Sequence, residues 1–240
     1  LKTSICNKKN KTIKSSTKHY NDKKLAHILS GQFSSNSSSK RSKGGKVNNN
    51  PMPSIIKIEK DLLKIKTQSN APVDLWNPKF CGNLDIRITR DGNWFYEGSK
   101  INRIKLVKLF SSILKKEGEN YFLVTPVEKV GITVDDVPFL ANSIDVQTLG
   151  DKQKVTFTTN TEETILLSEN HPLRVEFNPE TDEPSPYVNV RRNLDALIDR
   201  KTFYRLIDIG QPEIHLGELW FGIRSNETFF PITLQKNLAD

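Results

Sequence analysis

Three arginines stand within Arg87 to Arg103 together with an aromatic run, and five of these residues are the candidates: Arg87, Arg90, Trp94, Tyr96 and Arg103. Guanidinium groups meet phosphate oxygens in a bidentate way, and rings offer a stacking face. That combination suits a phosphorylated, ring-containing ligand. Glu128 follows Pro126-Val127 on a rigid bend and is a candidate base or ion-pair partner. The expected site is therefore Arg87, Arg90, Trp94, Tyr96, Arg103 and Glu128. The competing account is structural, with Arg87 paired to Asp85 and Arg103 to a buried acid such as Glu97 or Glu128.

Other chemistry is thin. The body holds two histidines, His171 and His215, and neither has Cys, Asp or Glu at metal-ligand spacing. Nucleophile-elbow, phosphate-loop, dinucleotide and zinc-protease motifs are absent from the sequence. Cys81, beside Phe80 and Gly82, reads as a small buried residue rather than a nucleophile. No catalytic residue, metal or cofactor is expected, and no reaction is indicated. Two cysteines, Cys6 and Cys81, build no disulfide framework. With no apolar run near the length of a membrane span, the expectation is a cytoplasmic protein without a membrane partner.

The elements that must position these residues are legible over Cys81 to Ile132. Leu84, Ile86 and Ile88 alternate with Asp85, Arg87 and Thr89, the period of a half-buried strand. Asp91-Gly92-Asn93 is turn chemistry, and Trp94-Phe95-Tyr96 is the return strand. Asn102 is placed to cap a helix running to about Lys116, ended by Gly118. Its apolar arc is Leu106, Val107, Leu109, Phe110, Ile113 and Leu114, with lysines opposite. Tyr121 to Thr125 is a strand. Further on, Phe139–Gln147, Val155–Thr159, Thr164–Leu167 and Leu173–Phe177 read as strands, and Tyr187–Val190 as a short one. A helix is expected over Asn193–Asp199. Phe203–Ile209 fits helix or strand, Gln211–Leu216 reads as loop, and residues 218–233 as a last hairpin.

Charge divides the chain sharply. Residues 1–50 carry 12 Lys/Arg against the single acid Asp22, so the overall +8 leaves −3 for residues 51–240. The tail is rich in Lys, Ser and Asn and too polar to fold. Weak nucleic-acid contact through residues 1–50 is the partner it allows. The expected divisions are residues 1–50 as a disordered basic tail, 51–72 as a leading helix and linker, 73–145 as a first α+β unit and 146–240 as a second, strand-rich one.

The stretch VDLWNP-x-FCG-x-LDIRI-x-RDG-x-WFYEGS, Val73 to Ser99, resembles a bacterial family catalogued as domain of unknown function 1285. LVKLFSSILKKEGENYFLVTPVEKVGI continues the resemblance, followed by DDVPFLA at Asp135 to Ala141. Weaker matches are HPL at His171, PSPYVNVR at Pro184 to Arg191, FYRL at Phe203 and FFPI at Phe229. The chain departs from the family pattern at Asn83, where an acid is expected, and at Arg224, where an aromatic is expected. The resemblance spans about residues 51–235. It implies an α+β protein of two duplicated strand-helix-strand subdomains, the second loosely like a pleckstrin-homology fold. It also implies a cleft between them suited to a nucleotide-like ligand, and a role in signalling. The function expected is therefore a non-enzymatic ligand-binding or sensing protein. The alternatives are a nucleic-acid-associated protein using the tail and an enzyme acting on nucleotides.

Overall fold

The computed structural model describes residue 58, residues 71–150 and residues 152–238. The tail, and the leading helix expected from Ser54, lie outside them, except that Ile58 is helical and buried. Six strands build the first sheet: β1 (Phe80–Ile88), β2 (Trp94–Tyr96), β3 (Ser99–Lys100), β4 (Leu114–Glu117), β5 (Asn120–Val124) and β6 (Lys129–Val134). Helix α1 (Ile104–Ser112) joins β3 to β4. The hydrogen-bonded order is β3-β2-β1-β6-β5-β4, antiparallel except for the central β1–β6 pair, which is parallel.

The second sheet is built from β7 (Phe139–Leu149), β8 (Lys152–Thr159), β9 (Thr164–Leu166), β10 (Leu173–Phe177), β11 (Pro184–Arg191) and β12 (Leu194–Ile198). Its order is β9-β8-β7-β12-β11-β10, again with a parallel central pair, β7–β12, and antiparallel flanks. The two sheets therefore share one topology, which is the duplication. The sheets divide between Val134 and Phe139, ahead of the expected boundary at 145, because β7 hydrogen-bonds into the second sheet along its whole length. Helix α2 (Arg200–Asp208) follows, and β13 (Gln211–His215), β14 (Glu218–Ser225) and β15 (Thr228–Leu234) form a third, three-stranded sheet. One cluster of buried residues runs through all three sheets, from Ile86 and Phe110 to Val188 and Ile223.

Several expectations need correction. Helix α1 stops at Ser112, and Leu114–Glu117 is a strand whose Leu114 pairs with Leu123. Gly118, at φ +58°, serves the β4–β5 hairpin rather than a helix end; both uses need a left-handed residue. Arg103, not Asn102, is the N-cap of α1, with no side-chain capping bond. The helix expected over 193–199 is strand β12. It is buried on both faces, Leu194, Ala196 and Ile198 on one side and Leu197 against Tyr187 and Val137 on the other. A strand covered on both faces loses its alternation and reads as a continuous apolar run. The helix comes directly after it: Asp199 caps α2 by accepting from the Thr202 amide at 2.7 Å. Finally, residues 211–215 are edge strand β13 rather than loop, since an edge tolerates Pro212 when its missing N–H faces outward. The helices sit differently in the two halves, since α1 lies inside the first sheet's strand sequence and α2 follows the second sheet and precedes β13.

Candidate functional site

The β1–β2 turn delivers Arg90 to the second sheet. The Thr89 amide donates to Asn93 O at 2.9 Å and the Gly92 amide to Thr89 O at 2.8 Å, closing the turn. Asn160 of the second sheet donates through Nδ2 to Gly92 O at 2.8 Å. A Cβ on Gly92 would meet Asn160 Nδ2 at 2.6 Å and Leu140 at 3.0 Å, so only glycine lets the turn press this closely. Held there, Arg90 donates to Ser185 Oγ at 2.9 Å and lies 3.3 Å from the Asp136 carboxylate.

Asp136 gathers the next contacts. Tyr187 of β11 donates its hydroxyl to both Asp136 oxygens at 3.2 Å, and Tyr121 of β5 donates to the Asp136 backbone carbonyl at 3.4 Å. The Arg174 guanidinium lies 4.4 Å from the Tyr187 ring centroid and pairs with Asp195 at 3.0 Å and with Glu176. This placement follows from register, since Arg174 stands opposite Tyr187 in the β10–β11 ladder. Burial raises both phenols, Tyr121 to about 12, with the Asp195 and Asp136 charges adding to the effect. Tyr187 is raised by burial and by Asp136, against the pull of Arg90. Both therefore stay neutral donors at physiological pH. The side chains of Arg90 and Arg174 remain 43% and 47% exposed.

The other expected site residues are placed differently. Arg87 is 58% exposed and bonds Asp135 through two 2.8 Å contacts, which raise its pKa; its partner is Asp135, not Asp85. Trp94 is buried in the core and stacks on Phe110, with ring centroids 6.4 Å apart. Tyr96 is half-buried against the core, and its pKa is raised by burial and then by Glu97. Arg103 is exposed at the start of α1. Glu128 is buried in the β5–β6 turn. The parallel register sets Phe80 beside Lys129 and Arg87 beside Thr133. At about 3.3 Å per residue, Glu128 is then about 17 Å along the sheet from Arg87. The structure thus brings Arg90 to the junction and spreads the rest along the sheet. Sequence reasoning missed Asp136, Arg174, Ser185, Tyr187 and Asp195 as site residues; the DDVPFLA match spans Asp136 and the PSPYVNVR match spans Ser185 and Tyr187. Cys81 is half-buried, and its thiol donates to Lys79 O at 3.3 Å. The two departures from the family pattern are both structural here. Asn83 packs its side chain onto Gly131, and Arg224 pairs with Glu213.

The family model for the N-terminal domain of DUF1285, a domain of unknown function, matches residues 71–137, and the model for its C-terminal domain matches residues 138–232. The chain belongs to the DUF1285 family. The junction between the two family domains falls where the two sheets divide. Among solved structures, a DUF1285 family protein from Silicibacter pomeroyi DSS-3 is 51% identical, with a TM-score of 0.68, over 76% of this chain and 98% of that one. A DUF1285 family protein from Shewanella baltica OS155 is 27% identical over 52% of this chain and 91% of that one, with a TM-score of 0.42. A search of curated proteins finds no match. Among the described residues no helix is long and apolar enough to cross a membrane, and no three His, Cys, Asp or Glu side chains cluster to hold a metal ion.

Proposed function

We propose that this DUF1285 protein binds a small anionic, nucleotide-like ligand at the junction of its two sheets, and that it acts as a binding or sensing protein. The observation that supports this is the pair of half-exposed arginines, one from each half, set around Tyr187. Carboxylates hold both guanidinium groups in position while nearly half of each side chain stays exposed to water. A phosphate can share or displace those carboxylate contacts in bidentate geometry. The phenols of Tyr187 and Tyr121 are neutral and already donate to Asp136, so they hold that residue in place and add no negative charge against the ligand. Arg174 and Asp195, at 47% and 26% exposed, form a partly solvated pair that contributes little to stability, so exchanging it for a ligand costs little.

The test is titration calorimetry with a panel of nucleotides and inorganic pyrophosphate, on the full chain and on Arg174→Ala. Arg174 is half-exposed, so its removal leaves the fold intact. The expected result is binding of at least one phosphorylated compound, weakened by roughly 10- to 150-fold in the variant, the scale of a charged hydrogen bond. Absence of binding across the panel, or equal binding by the variant, rejects the proposal.

A further inference from the structure

Residues 71–76 cross the seam between the two halves, and their attachment is unlike that of the sheets. Ala71 and Val73 are buried, and the segment is tied to itself by three amides. Val73 N donates to Ala71 O at 2.8 Å, Leu75 N to Pro72 O at 3.0 Å and Trp76 N to Val73 O at 3.2 Å. The second half clamps it from outside. Arg192 donates through Nη2 to Ala71 O at 3.0 Å and through Nε to the Asp74 carboxylate, which is 57% exposed. Arg192 lies in the β11–β12 turn at φ +50°, a left-handed conformation that disfavours an L side chain. Beside it, Asn193 donates to Lys116 O of β4 at 3.2 Å. One turn therefore grips both the crossing segment and the edge of the first sheet.

The same turn begins a continuous polar row. Asn189 Nδ2 donates to Arg192 O at 3.0 Å and to Asp195 at 2.9 Å. Asp195 pairs with Arg174, Arg174 covers Tyr187, and Tyr187 bonds Asp136, the partner of Arg90. A row of contacts couples two places only if some element in it has two states. Residues 71–76 are the part of this row that no sheet ladder holds: Ala71 and Val73 are buried, and the exposed Asp74 is tied down by Arg192.

We propose that residues 71–76 form a latch. Docked, they hold the β11–β12 turn against β4; released, they loosen the turn and the polar row together. No ligand is needed for this. Amide hydrogen exchange on the full chain tests it, with Asp74→Asn and Arg192→Gly as variants; glycine keeps the left-handed turn while removing the clamp. Both variants should speed exchange at Val73, Leu75 and Trp76 by about three- to tenfold, the scale of a half-exposed ion pair with one hydrogen bond. The Asn189 amide, which donates to Pro172 O at 3.1 Å, should accelerate with them, while amides of β5 and β8 stay unchanged. Acceleration confined to residues 73–76 overturns the latch, because the segment would then open alone. Uniform acceleration across both sheets overturns it as global destabilisation, and unchanged rates overturn it outright.

Discussion

Replacing Arg191 with alanine should destabilise the protein more than removing any of the arginines first suspected of ligand binding. Arg191 ends β11, and its side chain is 10% exposed. Its Nη2 donates to Ser111 O at 2.6 Å, its Nη1 pairs with Glu163, and its guanidinium lies 4.9 Å from the Phe139 ring centroid. Ser111 is in the last turn of α1, where backbone carbonyls lack helical partners and the helix dipole favours a cation. The side chain thus caps a helix of the first half from a strand of the second. Breaking a buried pair costs about 3–5 kcal/mol. Glu163 is 32% exposed and regains water, so about 3 kcal/mol is the expected loss. At about 2–4 °C per kcal/mol for a chain of this size, the melting temperature should fall by about 6–12 °C.

Circular dichroism melts and urea titrations measure this loss directly. Arg191→Lys should recover part of it, since an ammonium group restores charge without the two-pronged reach to Glu163 and Ser111. In a cycle with Glu163→Gln, the coupling energy should fall within about 0.5–3 kcal/mol. An Arg191→Ala loss below about 1 kcal/mol would refute the claim that Arg191 pins α1 to the second half, and strict additivity with Glu163→Gln would refute the share assigned to the ion pair.

Three other outcomes follow from the same geometry. Arg87→Ala should cost well under 1 kcal/mol, because its pair with Asp135 is solvent-exposed; a chemical-denaturation loss above about 2 kcal/mol would contradict this. Tyr121 should give an alkaline signature readable by tyrosinate absorbance. Its folded pKa of about 12 exceeds the ordinary value of 10, so its contribution is complete below pH 10 and is lost as pH rises towards 12, by about 2 kcal/mol. Stability that stays flat over pH 10–12 in wild type, or that falls equally in Tyr121→Phe, would refute that assignment. Gly222→Ala should cost about 2 kcal/mol or more, since the new Cβ would meet Phe230 O at 2.3 Å and Pro231 Cα at 2.9 Å, both rigid backbone. Gly118→Ala meets open space and should cost only about 1 kcal/mol, from its φ of +58°; equal melting of the two variants would show that the close approach is not tight.

Strands with one wet face were legible. Leu84, Ile86 and Ile88 alternate with exposed partners, and the sequence pattern matches the burial of β1. Strand β12 was not, because Tyr187 and Val137 cover the face that alternation expects to be polar. For the site, Arg90 was legible because Asp91-Gly92 announces the turn that carries it. Its partner Ser185 lies 95 residues away, and Arg174 reaches Tyr187 only through the β10–β11 register. Single-residue chemistry cannot reveal a pairing that depends on which strands lie side by side.

The same limit explains why the duplication was visible as an order of elements and wrong in its details. A parallel pair such as β1–β6 or β7–β12 needs a long connection, and everything between its strands belongs to that connection. In the first half the connection carries a helix, and α1 sets Val107 and Phe110 into the core. In the second, the step from β9 to β10 is a short loop, and the helical cover comes after β12, where α2 packs on β7 and β14 through Phe203, Leu206 and Ile207. A sheet needs its inner face covered but does not dictate where in the chain the cover is encoded. Strand order can therefore match between two halves while helix position differs. Leu194, Leu197 and Ile198 also fall at helical spacing, and a strand buried on both faces produces that pattern as readily as a helix does, which is why a helix was expected on β12.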